Sequence, residues 1–327
     1  MSEPDLTEHH SAGDVTEALR ADVRAGLTAE RKWLPPKWFY DAAGSELFEK
    51  ITALPEYYPT RAEREILAGQ APAIARATGA RALVELGSGS SEKTRLLLDA
   101  LTAHGTLETF VPLDVSGAAL AEATEAIAAE YPKLDVRGVV GDFTEHLGLL
   151  PGEPPRVVAF LGGTIGNFLP PERAKFLRSV REVLAPGEWL LLGADLVKDP
   201  ARLVRAYDDA AGVTAEFNRN VLRVINARLG ADFDVDAFEH VAHWDAEAEW
   251  VEMWLRATED QVVRIPGADL EVTFAAGEHV RTEISAKFRP DGLAAELAAA
   301  GFAVAERWTD AEELFSLTLA AVTQDRK

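Results

Sequence analysis

From residue 81 onward the chain repeats one rhythm, a short apolar run followed by a stretch of helical spacing. The runs are "ALVELG" (82–87), "TFVPLDVS" (109–116), "VRGVVGDF" (136–143), "RVVAFLGG" (156–163) and "EWLLLGADL" (188–196). Apolar runs this short, separated by helices, suit strands of a parallel sheet covered on both faces. The succession therefore predicts an open, doubly wound α/β layer. Residues 290–322 add a final helix and two strands joined as a hairpin, which returns the chain to that sheet.

The region from 198 to about 285 breaks the rhythm. Helices containing "RLVRAYDDAAGVTAEFNRNVLRVINARLG" precede "AEWVEMWLRA", "QVVRI" and "LEVTFAAGE", which have the look of antiparallel strands. At the other end, a helix is expected from Val15 to Leu34, stopped by "LPP" because proline cannot continue the ladder. "GSELFEKITAL" reads as a short helix closed by Pro55, and residues 60–78 as a longer one capped by Thr60. The first dozen residues, lacking apolar periodicity, are expected to be disordered. Two domains follow. Residues 62–197 with 287–327 form the sheet domain, and residues 8–61 with 198–286 form a split α+β domain for a substrate.

Composition narrows the function. With 54 acidic against 33 basic side chains, the net charge of −21 opposes nucleic acid and anionic lipid. The absence of cysteine excludes disulfides, thiol nucleophiles and thiolate metal sites. No run of roughly 18 apolar residues offers a membrane span, and the polar, acidic start "MSEPDLTEHHSAGD" is unlike a targeting peptide. A cytoplasmic protein acting on a small molecule is expected.

"VELGSGSSEKT" (84–94) is a strand, a turn bearing Gly87 and Gly89, and a helix start, where backbone can approach a ligand closely. A dinucleotide loop would carry a third glycine at position 92 and leave the helix N-terminus open to pyrophosphate. Glu92 stands there instead. S-adenosylmethionine, which has no phosphate and carries a sulfonium, suits this loop better. Asp114 ends the second strand, where a carboxylate accepts ribose hydroxyls, and Asp142 and Phe143 end the third, suited to an adenine amino group and ring face. The plainer alternative for either aspartate is a helix cap or loop residue. The fourth run ends in "LGGTIGNF" (161–168), where Gly162, Gly163 and Gly166 permit close approach and Asn167 both donates and accepts hydrogen bonds. Its alternative is a tight glycine turn with a capping asparagine.

Three of the five tyrosines lie in "WFYDAAGSELFEKITALPEYY" (38–58), with one tryptophan and two phenylalanines. Together with "LGGTIGNF", "RAYDD" (205–209), "EMWL" (252–255) and "RTEIS" (281–285), this segment resembles the histidine-specific, S-adenosylmethionine-dependent Nα-methyltransferases of ergothioneine biosynthesis. The resemblance runs from about residue 15 to 322. It implies a Rossmann-like class I methyltransferase sheet with a C-terminal hairpin, a split substrate domain, a monomer, and trimethylation of the L-histidine α-amine to hercynine. On the family's positions, Asn167 and Tyr207 correspond to the carboxylate-binding pair, Tyr40 to the tyrosine beside the amine, and Tyr57 to one near the imidazole. Phe48 and Gly162 match positions lining the reacting centre, Met253 lies along the imidazole, and Glu283 and Ser285 match the pair that recognises its ring nitrogens. Gly87, Lys93, Asp114, Asp142 and Phe143 fall on cofactor positions.

The residue chemistry is compatible with those roles. Glu283 and Ser285, two apart, share one face of a strand, and a carboxylate with a hydroxyl can serve the two unlike imidazole nitrogens. The competing reading is a solvated strand face, as Tyr207 could be a core tyrosine and Met253 a packing residue. An amine methylated three times ends as a fixed cation, which aromatic faces tolerate through cation–π attraction. Tyr40 is expected to orient the amine, Phe48 and Tyr57 to wall the pocket, and Trp38, Phe39 and Tyr58 to pack the segment as a lid. The α-amine must shed a proton before each attack, through Tyr40 or water, and no strong base is evident. Alignment is expected to supply most of the acceleration. His240, His243 and Asp245 lack metal-site spacing, and no metal is expected. The alternatives are methylation of another amino acid or indole derivative, a non-catalytic S-adenosylmethionine binder, and a dehydrogenase. An apolar ring would leave Glu283 unpaired.

Overall fold

The five apolar runs form the middle of an eight-stranded sheet in the computed structural model, which describes residues 5–9 and 12–323. Strands β2 (Ala82–Leu86), β3 (Thr109–Asp114), β4 (Asp135–Val140), β5 (Arg156–Phe160) and β6 (Trp189–Asp195) run parallel in the order β4-β3-β2-β5-β6. The hairpin β12 (Phe302–Thr309) and β13 (Phe315–Val322) completes the layer, with β13 antiparallel to β6 and Phe315 opposite Asp195. This is the Rossmann-like class I order with its C-terminal hairpin. Strand β2 is buried along its whole length, as a central strand covered on both faces must be, its one polar residue, Glu85, included. Helices α3 (Pro59–Thr78), α4 (Arg95–His104), α5 (Gly117–Glu130), α6 (Pro170–Val183) and α9 (Pro290–Ala299) belong to the same unit.

The chain divides into two compact units: Met1–His9, Pro59–Val197 and Lys287–Lys327 in one, His10–Tyr58 and Lys198–Ala286 in the other. The second contains α1 (Ala12–Leu27), a 3-10 turn at Pro36–Phe39, α2 (Ala42–Thr52), α7 (Pro200–Tyr207) and α8 (Val213–Leu229). Strands β7 (Phe238–Asp245), β8 (Trp250–Ala257) and β11 (His279–Ala286) form an antiparallel sheet in the order β11-β8-β7, and β9 (Gln261–Ile265) pairs with β10 (Leu270–Phe274). Helices α7 and α8 pack against β7 and β8. Among the described residues no helix is long and apolar enough to cross a membrane.

Three local expectations are corrected. The N-terminal segment is ordered at β1 (Asp5–Glu8), which pairs in parallel with β4 because Leu6 lies over Gly138, where any side chain would collide with it. Positions 1–4, 10 and 11 lie outside the described residues. The first helix stops at Leu27 rather than Leu34, since the chain folds back: Trp33 N–H donates to the Gly26 carbonyl at 3.2 Å, Leu34 N–H to the Arg281 carbonyl of β11 at 2.8 Å, and Arg281 N–H to the Lys32 carbonyl at 3.0 Å. Tertiary pairing thus replaces the last two turns of predicted helix. Helix α3 begins at Pro59, so Thr60 sits inside its first turn instead of capping it.

Candidate functional site

In the sheet unit the ligand-facing end is set by the reversal of strand order beside β2, where open α/β sheets place their crevice. Gly87 (φ +69°) and Gly89 (φ +50°) carry the chain out of β2 in the left-handed region that favours glycine. Asp114 reaches this loop from the end of β3: one carboxylate oxygen accepts the Gly89 N–H at 2.9 Å, the other that of Ser116 at 2.9 Å. Desolvation raises the Asp114 pKa, against those backbone donors. Asp142 accepts both N–H and hydroxyl of Thr144, at 2.8 and 2.6 Å. Phe143 stands edge-on to Phe160, 5.2 Å between centroids, and to Phe176 at 5.8 Å, and a Cβ on Gly87 would lie 3.7 Å from its ring. The cofactor candidates Gly87, Asp114, Asp142 and Phe143 thus gather at neighbouring strand ends, and Lys93 lies farther along the loop between β2 and α4.

Two glutamates that sequence reasoning missed organise this end. Glu63 of α3 is fully buried and pairs with the Lys93 ammonium, while both its oxygens receive the Gly162 N–H at 2.9 and 3.0 Å. It therefore ties the loop after β2 to the turn after β5, where Gly162 (φ +77°) and Gly163 (φ +74°) precede the 3-10 turn Thr164–Asn167. Gly193 on β6 makes room for it, since a Cβ there would fall 2.2 Å from the Glu63 carboxylate. No sequence spacing reveals a bond spanning 99 positions. Glu85 lies beneath the loop, accepting the Thr94 hydroxyl at 2.5 Å and that of Ser91 at 3.3 Å. The Asp114 and Asp142 carboxylates at these strand ends suit a ligand bearing hydroxyls and positive charge, and disfavour a pyrophosphate. The residues fit S-adenosylmethionine on that ground.

Burial pushes the Glu85 pKa up to about 7 from 4.5, opposed by the Thr94 hydroxyl and the Lys93 charge. Below 4.5 the folded and unfolded chains both hold the proton; above it only the unfolded chain ionises freely, so the stability Glu85 contributes is lost as pH rises through 7. The variant Glu85→Gln keeps the Thr94 acceptor without the ionisation. Its unfolding free energy is expected to gain about 2 kcal/mol on the wild type between pH 5.5 and 8. Urea titrations of both proteins at the two pH values check this, and a pH-independent difference would refute it.

In the second unit the aromatic segment folds around its own rings. Asp41 caps α2 by accepting the Gly44 N–H at 2.8 Å, and a Cβ on Gly44 would fall 1.7 Å from the Phe39 carbonyl, so only glycine permits this tight entry. Tyr40 stands edge-on to Phe48 at 5.6 Å and to Phe217 at 5.4 Å; Phe48 meets Tyr57 at 6.3 Å, and Tyr57 meets Tyr207 at 6.3 Å. Phe217, on α8, links the cluster and was not singled out from sequence. Phe39 is fully buried against it, Trp38 donates to Asp22 at 2.9 Å, and the buried Tyr58 accepts from Lys198 at 2.7 Å.

Tyr207 ends α7, and its hydroxyl meets that of Ser285 at 2.7 Å. Glu283 stands opposite Met253 in the β11/β8 register, and Met253 is buried. On the same face, between β7, β8 and α8, runs a buried polar chain. The His240 ring Nε2 faces the Tyr207 carbonyl at 2.8 Å and so carries the proton, and its Nδ1 accepts from the Asn218 amide at 2.8 Å. Asn218 also donates to the Trp254 carbonyl at 3.0 Å and receives the Thr282 hydroxyl at 2.6 Å. Burial lowers the His240 pKa, favouring this neutral form. His243, at odd spacing on the same strand, takes the opposite face and stacks on Trp254 at 5.3 Å. Among the described residues no three metal-binding side chains converge.

Comparison with known proteins places this arrangement. The chain matches the family described as histidine-specific methyltransferase, SAM-dependent, over residues 19–322. It is 58% identical to the histidine N-alpha-methyltransferase of Mycolicibacterium smegmatis, over 96% of this chain and 98% of that protein. Identity to the Mycobacterium tuberculosis protein of the same name is also 58%, over 93% and 95%. Ergothioneine biosynthesis protein 1 of Neurospora crassa is 34% identical over 69% of this chain and 27% of its own length.

Proposed function

The chain belongs to the histidine-specific, S-adenosylmethionine-dependent methyltransferases, and we propose that it adds three methyl groups to the α-amine of L-histidine, giving hercynine for ergothioneine biosynthesis. The observation that carries the substrate reading is the pairing of Ser285 with Tyr207 on the strand face that also bears Glu283 and Met253. A carboxylate and a hydroxyl two residues apart offer an acceptor and a donor to an imidazole, which has one nitrogen of each kind when neutral. Met253 supplies the apolar flank.

The chemistry supplied by bound S-adenosylmethionine is a sulfonium methyl group, which the amine lone pair takes as the carbon–sulfur bond breaks and its electrons stay on sulfur. Gly87, Lys93, Asp114, Asp142 and Phe143 are the proposed cofactor contacts, gathered in the sheet unit, and Lys93 is held there by Glu63. Tyr40 orients the amine and passes its proton toward water; Phe48 and Tyr57 present ring faces that tolerate the growing cation. In the sheet unit Asn167 is a proposed carboxylate contact and Gly162 leaves room beside it; in the other unit Tyr207 is a proposed carboxylate contact. The same reading carries a cytoplasmic monomer that binds neither nucleic acid nor membrane, with the sheet unit as the cofactor domain and the other as the substrate domain.

Mass spectrometry of reactions containing S-adenosylmethionine and each common amino acid tests the assignment. Histidine alone is expected to gain methyl groups, up to three. Methylation of a different amino acid with histidine untouched would keep the methyltransferase and refute the imidazole reader.

A further inference from the structure

Strand β11 reads "HVRTEISA", with His279, Arg281, Glu283 and Ser285 alternating with Val280, Thr282, Ile284 and Ala286, an apolar set broken only by the threonine. A regular strand would put His279, Arg281, Glu283 and Ser285 on one face and Val280, Thr282, Ile284 and Ala286 on the other. The register against β8 does not allow that. His279, Val280 and Arg281 pair with Arg256, Leu255 and Trp254, but the next residue of β8, Met253, pairs with Glu283. Thr282 is the extra residue of a β-bulge. Past it the parity reverses: Glu283 and Ser285 stand opposite Met253 and Val251, on the buried face of β8, while Ile284 and Ala286 stand opposite Glu252 and Trp250. The Ser285–Tyr207 hydroxyl contact lies on that face, covered by α7 and α8, and the Arg281–Glu252 pair marks the other.

We propose that Thr282 is a specificity-determining positioning residue, whose hydroxyl pins the bulge that turns Glu283 and Ser285 toward the substrate ring. The proposal rests on the histidine reading. Three facts support it. The Thr282 side chain is 1% exposed, so its hydroxyl needs a protein partner. It has two within reach, the Asn218 side-chain oxygen at 2.6 Å and the Met253 carbonyl at 3.0 Å, the latter on the residue beside which the register slips. Asn218 is in turn fixed by His240 and the Trp254 carbonyl, so the bulge is clamped from α8 and β8 at once. Without that clamp the alternating sequence favours the regular register, which would carry Glu283 and Ser285 to the far face.

The variants Thr282→Ala and Thr282→Ser differ by the hydroxyl alone. For each, kcat/KM is measured with L-histidine and with β-(2-thienyl)alanine, whose ring lacks nitrogen, beside the calorimetric affinity for S-adenosylmethionine. Loss of one buried hydrogen bond is expected to lower the histidine-to-thienylalanine ratio about tenfold in Thr282→Ala, mainly through the KM for histidine. Thr282→Ser is expected to restore the ratio, and cofactor affinity to stay unchanged in both. Thr282→Val takes the place of the alanine variant if the latter does not fold. An unaltered ratio in the hydroxyl-less variant overturns the proposal, as does an equal fall in the serine variant. A wild type that leaves histidine unmethylated refutes the histidine reading instead, which separates the two failures.

Discussion

Replacing Lys287 with methionine is expected to cost about 3–5 kcal/mol of unfolding free energy. The Lys287 side chain is wholly buried, its ammonium lies 2.9 Å from the Asp195 carboxylate, and that carboxylate is 4% exposed. Removing the cation leaves a carboxylate in a site where burial disfavours charge and water cannot compensate. The pair also closes the place where the chain leaves the sheet unit and returns to it. Phe288 N–H donates to the Asp195 carbonyl at 2.8 Å, and Val197 N–H to the Phe288 carbonyl at 3.1 Å. The double variant Lys287→Met, Asp195→Leu removes both charges together and is expected to recover most of the loss. Urea titration of the two variants and the wild type decides it; additive losses in the double variant would show that the ion pair itself is not the source.

Glu63→Ala is expected to act on function and stability together. It strands the Lys93 ammonium and the Gly162 N–H, costing about 3 kcal/mol in stability, and it releases two segments assigned to cofactor and substrate, weakening S-adenosylmethionine binding about tenfold or more. Glu63→Gln keeps an acceptor for Gly162 while losing the charge beside Lys93, so its affinity should fall between the two. Calorimetric titration of the three proteins orders them. Equal affinities would mean that Lys93 holds its place without Glu63.

Much of the sheet unit was legible because its signals are local. Apolar runs with intervening helices gave five strands and their direction, and the strand-end residues Gly87, Asp114, Asp142 and Phe143 fall together once those strands are parallel neighbours. Tyr40, Phe48 and Tyr57 cluster for a similar reason, since one helix and its two flanking turns carry all three. Glu63 was not legible, because a helix glutamate looks the same whether it faces water or a backbone amide 99 positions away. Phe217, Asn218 and His240 carry no local mark either: each is an ordinary residue of an amphipathic element until α8 is laid on β7 and β8.

The sequence by itself determined most element types, the parallel direction expected of the first sheet's strands and the fact that Glu283 and Ser285 share a face, because helix and strand periodicities are properties of the local chain. Only the tertiary structure decided which face that is. Read alone, "HVRTEISA" sends the glutamate and serine out with Arg281 and His279. One inserted residue in the ladder, held by a hydroxyl from β11 and an amide from α8, reverses that choice. Register depends on hydrogen bonds between distant segments, and no periodicity within a single strand records it.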